Sequence, residues 1–266
     1  PPRSTLFPYT TLFRSVYPTS HSQQRLYLLH QLEGGSGAYN MTFAFRCDGR
    51  LDVTALGQAL SRLCERHEPL RTGFEERAGE IVQRVAPIAR PVVVVDDLRQ
   101  RADAWDEALR LARGETSTPF DLTRPPLLRA RVLRIRPEES LLLLVLHHIV
   151  GDGWSSRILV RELGALYAEA CGGPAANLPA LPLTYKDYAL WQRGQRWSGA
   201  AEFWRGRLAG APPRVDLPTD RPLPETQSYR GATYYQELPP GVLAGLKAVA
   251  RSRGATVAAV GLAVFG

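Results

Sequence analysis

The 266-residue sequence predicts an α/β protein, and three observations point that way. An unbroken apolar run over 141–146 has the length of a buried strand, far short of the roughly 18 apolar residues of a membrane helix. Gly151-Asp152-Gly153 follows as a polar turn. Beyond it, Ile158, Leu159, Leu163, Leu166 and Tyr167 recur at helical spacing. Strand, turn and helix in that order place two adjacent histidines, His147 and His148, at the strand's carboxyl end, where α/β proteins tend to build their chemistry.

The remaining elements follow from local patterns. Residues 1–15 carry TLF twice and have no amphipathic period, so they read as a foreign-looking tail and not as a signal peptide. Ser22 to Leu29 place apolar residues one turn apart and open a short helix. Gly34-Gly35-Ser36-Gly37 is a flexible loop that misses a nucleophile elbow, because Ala38 stands where its last glycine belongs. MTFAFRCDG alternates as a strand with a turn at Asp48-Gly49. Asp52 can cap a helix whose buried stripe is Leu56, Leu60, Leu63 and Cys64, and Pro69 stops it before RTGFEE extends again. Strands are expected over 81–85, 92–95 and 127–135, with a helix over 102–113. A Gly/Pro/Ala linker over 172–182 delivers an aromatic-rich helix that begins at Tyr185. An extended 229–238 and a helix from about Pro240 come last, and 256–265 starts a further apolar element.

Composition narrows the function. At 44% hydrophobic and 22% charged the chain is an ordinary globular one, large enough for one big domain or two lobes. The net charge of +7 is nearly all arginine, scattered along the chain with lysine only at Lys186 and Lys247, and no nucleic-acid motif accompanies it. Neither a nucleic-acid nor a membrane partner is expected. Cys47, Cys64 and Cys171 are too few and too widely spaced for a disulfide framework or a zinc site, so a reducing, cytoplasmic setting and no metal are expected.

Successive strand side chains point to opposite faces, so His147 and His148 cannot both face one crevice. A neutral imidazole is a competent general base, and a nearby carboxylate such as Asp152 can orient it. A buried Asp152 would need a cation, and Arg66 or Arg71 in RHEPLRTGF could supply one or remain solvated.

Four segments, SQQRLYLL (22–29), RHEPLRTGF (66–74), HHIVGDGWS (147–155) and YKDYALW (185–191), resemble the first four signature motifs of the condensation domain of nonribosomal peptide synthetases, in order and at similar spacing. The resemblance runs from about Val16 to the end. It implies a chloramphenicol acetyltransferase-like lobe, a mixed sheet flanked by helices, plus the start of a second similar lobe. The corresponding boundaries are a lobe over 16–175, a linker with the YxDYAxW region over 176–228, and the second lobe's start over 229–266. It also implies that an upstream aminoacyl or peptidyl thioester is joined to the amine of a downstream aminoacyl thioester. Both are held on phosphopantetheine arms of donor and acceptor carrier proteins, beside an adenylation domain, with no cofactor bound directly. Carried onto this chain, His148 acts on the acceptor amine and His147 sits on the other strand face. Asp152 pairs with Arg66, and Gly153 offers a backbone N–H to the developing oxyanion. Arg71, Trp154 and Ser155 support the site, and Tyr185, Asp187 and Tyr188 lie on the substrate and carrier side.

Within the family, His147-His148 argue against heterocyclisation domains, and the full RHEPLRTGF favours condensation over epimerisation. The family's later motifs lie in the second lobe, so the chain is expected to be a partial domain whose activity alone is doubtful. Two other classes fit some residues. His147 and Asp152 share the spacing of a glycerolipid-type or CoA-dependent His-Asp acyltransferase, which would make the first histidine catalytic. A lobe that docks a carrier protein without catalysis is the other.

Overall fold

The structure, a computed structural model, describes residues 16–195, 197–212, 218–222, 231–232 and 234–265. It divides into two compact units, 1–211 and 212–266, and the division falls within the stretch read from sequence as a linker.

The first unit is built around a four-stranded sheet in the order β2-β7-β6-β5: β2 (Asn40–Asp48), β7 (Glu139–His147), β6 (Leu128–Arg136) and β5 (Val93–Asp97). Its pairs are antiparallel except β5–β6, whose parallel crossover carries a helix, α3 (Ala104–Ser117). The sheet is therefore mixed, with helices on both faces. Every residue of β7 is buried, which explains its unbroken apolar run. Leu142, Leu144 and Leu146 face the core of α2 (Val53–Arg66) and α4 (Gly153–Ala170), while Leu141 and Leu143 pack with Ala104 and Ala108 of α3. His147 continues the odd-numbered face, opposite Asn40 in register.

A second sheet, in the order β1-β4-β3, pairs β1 (Val16–Pro18), β4 (Glu80–Val85) and β3 (Thr72–Arg77) antiparallel. Its separation from the main sheet was not legible in the strand pattern, because pairing between distant segments leaves no local periodicity. In the chain, α1 (His21–Leu32) follows β1. Ser20 and Gln23 form a capping box at its start, and Gln23, Tyr27 and His30 form its buried stripe. The cap on α2 is as expected, with Asp52 accepting from Thr54 N at 2.8 Å and Ala55 N at 3.0 Å. The glycine-rich loop after α1 is a packing device: a Cβ on Gly37 would meet the Ser117 carbonyl oxygen at 2.6 Å, so only glycine lets the loop lie against the end of α3.

Helices α5 (Tyr185–Arg193) and α6 (Ser198–Arg207) complete this unit. The second unit contains α7 (Pro240–Ser252) and α8 (Val257–Phe265). Of the extended 229–238 expected from sequence, 229–230 and 233 lie outside the described residues, and the described part forms no strand. The tail 1–15 also lies outside them. No helix among the described residues is long and apolar enough to cross a membrane.

Candidate active site

The end of β7 separates the two histidines. His147, the last strand residue, is fully buried. Its ring sits in a cage of three rings from three segments: His30 of α1 at 5.3 Å and 85°, Phe120 at 6.2 Å, and Tyr39 at 6.4 Å. Burial, reinforced by His30 and His148, lowers its pKa to about 3, so it is neutral. Its Nδ1 accepts the Ile149 backbone N–H at 3.1 Å, which leaves its proton on Nε2.

His148 begins a short 3₁₀ turn, His148–Val150, and is exposed. Its Nδ1 lies 2.9 Å from the Gly151 carbonyl oxygen. A carbonyl only accepts, so Nδ1 carries a proton, and in the neutral ring the lone pair is on Nε2. Adjacent histidines thus hold opposite tautomers, and the second is oriented by a backbone carbonyl and not by Asp152.

Asp152 is the exposed N-cap of α4. Its Oδ1 accepts from Ser155 N at 2.8 Å and Ser155 Oγ at 2.7 Å, and these bonds hold its carboxyl below the usual range. The Asp152–Arg66 pair expected from the resemblance is not formed. Arg66 lies at the end of α2, where it meets Glu162, ten residues and about 15 Å farther along α4. Glu162 is buried and accepts from Arg66 Nε at 2.9 Å and meets His67 Nε2 at 2.7 Å. Burial pushes its carboxyl up, but the bonds to His67 and Arg66 outweigh this and lower it. Asp152 needs no cation because it is not buried.

The RHEPLRTGF charges serve as clasps. Arg66 also donates to the Pro179 carbonyl, Glu68 takes Lys186, and Arg71 donates to the Ala86 carbonyl while lying 3.6 Å from Glu68. Arg71 is thus committed to Ala86 and Glu68. Gly153 is the first residue of α4, where backbone N–H groups have no intrahelical partner, and a Cβ there would meet nothing. Trp154 is 75% exposed, with no ring partner among the described residues. The Tyr185 hydroxyl bonds Ser20 Oγ at 3.0 Å, and its phenol is raised by burial, with Tyr188 and Asp152 adding to this. Asp187 is committed to capping Thr184, through the backbone at 2.8 Å and the hydroxyl at 2.9 Å. Tyr188 is exposed and stacks between Tyr185 and Trp191.

His148, Asp152, Gly153 and Ser155 therefore share one turn, while Arg66, Arg71 and Asp187 are committed to other partners and Tyr185 packs with Tyr188 beside Ser20. The residues that sequence reading missed are His30, Tyr39, Phe120 and Glu162. For His30 the signal was available, since it falls on the buried stripe of Gln23 and Tyr27. No group of residues among those described could hold a metal ion.

The sequence pattern that defines the Condensation domain family matches residues 13–266. The chain belongs to that family. It is 43% identical over 254 residues to a linear gramicidin synthase of Brevibacillus parabrevis, covering 93% of this chain and 3% of that protein. Phosphinothricin tripeptide synthetase PhsC of Streptomyces viridochromogenes is 41% identical, over 93% of this chain and 23% of that protein. The chain thus spans a small part of the synthetases it matches. Among solved structures, the X-domain from teicoplanin biosynthesis superposes with a TM-score of 0.74 at 33% identity, covering 90% of this chain and 53% of that one. The starter condensation domain of rhizomide synthetase RzmA superposes with a TM-score of 0.66 at 21% identity, over 75% of this chain and 49% of that one, a likeness of fold. The fold is the chloramphenicol acetyltransferase-like α/β architecture expected of this family.

Proposed function

We propose that this condensation-domain chain carries the amide-forming site of a nonribosomal peptide synthetase, with His148 as the group that acts on the acceptor amine. The observation that carries this reading is the exposed His148 imidazole whose Nδ1–H is committed to the Gly151 carbonyl, leaving Nε2 as an outward-facing base. In the reaction, the amine nitrogen attacks the donor thioester carbonyl. As the C–N bond forms, Nε2 takes the amine proton. The C–S bond then breaks, and the proton goes to the departing phosphopantetheine thiolate. General base help of this kind contributes about 10²–10⁴-fold, and holding two tethered substrates together can contribute more.

Asp152 and Ser155 fix the start of α4 and with it the turn that bears His148. Gly153 N–H is in reach of a role at the oxyanion, since helix-start donors favour developing negative charge. Tyr185 ties α5 to the start of α1 through Ser20. Trp154 offers an exposed apolar surface two residues after Asp152. Arg66 and Arg71 act at a distance, by holding the elements that carry the site. The partners on this reading are donor and acceptor carrier proteins and an adenylation domain, and no metal or soluble cofactor takes part.

The test is formation of dipeptidyl thioester from aminoacyl-loaded donor and acceptor carrier proteins, followed by mass spectrometry. The chain is assayed alone and joined to a second lobe. Product from the wild-type protein and its loss in His148→Ala support the reading. Equal product from both removes His148 from the chemistry, and loss with His147→Gln alone would favour a first-histidine acyltransferase.

A further inference from the structure

The cage around His147 contains a residue that the proposed chemistry does not use. His30 is buried on α1, and its ring stands nearly perpendicular to His147, at 85° and 5.3 Å between centroids. Helix α1 packs directly on the 148–150 turn. His30 Nε2 lies 3.6 Å from where a Cβ on Gly35 would stand, so the glycine-rich loop lies beside the ring. The ring thus has that loop and His147 as neighbours.

What depends on His147 is the turn. Its Nδ1 can accept the Ile149 N–H only while it is unprotonated, and Ile149 is the residue next to His148. Rotation of the His147 ring, or transfer of its proton to Nδ1, would break that bond and release the backbone that aims His148.

We propose that His30 is a positioning residue for the condensation site: its ring, set edge-to-face against His147, holds that ring in the orientation and tautomer that fix the turn carrying His148. Edge-to-face rings at this separation prefer a defined mutual angle, which a flexible aliphatic side chain would not impose. Both rings must be neutral for the arrangement to hold. Burial keeps His30 neutral against the pull of Glu33, the Phe120 carbonyl and Asp121. Among the described residues, the titratable groups that act on His147 are His30 and His148. The kinetic part of this inference rests on the function proposed above, and the spectroscopic part does not.

The test compares His30→Ala and His30→Phe with wild type. Long-range ¹H–¹⁵N spectra read the His147 tautomer in the 266-residue chain. Product formation is followed in the chain joined to its second lobe. His30→Ala is expected to give a mixed His147 tautomer and a kcat lowered about ten- to hundredfold with KM nearly unchanged, the scale of a misplaced catalytic group. His30→Phe, which keeps a neutral ring, restores both. A single Nε2–H tautomer and wild-type kcat in His30→Ala, with only a lower melting temperature, would overturn the proposal. Should His30→Ala not fold, a folded His30→Phe decides: a held tautomer supports positioning by the ring, and a mixed one overturns it. Absence of product from wild type would count against the condensation reading, while the tautomer data would still decide the role of His30.

Discussion

His147 and His148 are joined by one peptide bond, yet one lies under three rings and the other stands in the open. The division comes from where the strand stops. His147 keeps the alternation of β7 and so falls on the buried odd face, whereas His148 begins a 3₁₀ turn and escapes it. Burial removes the first as a base, and a backbone carbonyl orients the second. Adjacency in sequence thus says little about shared work. The backbone at a strand end decides which histidine can meet a substrate.

The largest expected effect separates the two by deletion. His147→Ala empties a fully buried site and leaves the Ile149 N–H without its acceptor, at a cost of about 3–5 kcal/mol in urea unfolding. His148→Ala should stay within about 0.5 kcal/mol of wild type while abolishing product. Comparable destabilisation by both would erase the contrast.

A second break comes from below the cage. Gly37→Ala drives a Cβ against the Ser117 carbonyl oxygen at 2.6 Å and pushes away the short turn that carries Tyr39. Overpacking of this kind costs about 1–3 kcal/mol. Its Tyr39 effect should appear as a changed His147 environment in ¹⁵N spectra, with the His148 resonances nearer to wild type.

Acid sharpens the comparison by charge. The folded-state pKa of His147 is depressed to about 3 from an ordinary 6.5, so below pH 6.5 the unfolded chain binds a proton that the folded chain refuses. Stability present above pH 6.5 is lost as pH falls towards 3, by up to about 1.4 kcal/mol per pH unit for one such group. His30, also lowered, adds a loss of the same sign, and Glu162 adds one below its ordinary carboxylate range. Denaturant melts from pH 7 to 4 should show this slope in wild type and in His148→Ala, and a shallower one in His147→Phe.

The smallest effect is at the cap. Ser155→Ala removes the Oγ bond to Asp152 but keeps the backbone one, and should cost about 0.5–1 kcal/mol, with melting temperature as the measure.

Much of this was legible in the sequence where one stretch of chain settles the matter. The 141–146 run, the Asp52 cap and the turn into α4 are local, and each stands as read. The Arg66–Asp152 pair failed because choosing a cation's partner needs tertiary register. Glu162 sits inside α4 like any helical glutamate, and only the crossing of α2 and α4 makes it the buried acceptor. The cage was hidden for the same reason, since Tyr39, Phe120 and His30 come from separate segments. The glycine-rich loop, considered as a failed nucleophile elbow, instead needs its glycine where Gly37 meets Ser117.

The measurement that tests the central claim most directly is the tautomeric state of both histidines at neutral pH, read from long-range ¹H–¹⁵N couplings and assigned with His147→Gln and His148→Gln. The account predicts the proton on Nε2 of a neutral His147, and on Nδ1 in the neutral form of His148. The same tautomer on both, or a His147 that titrates near 6.5, would contradict the division of labour between them.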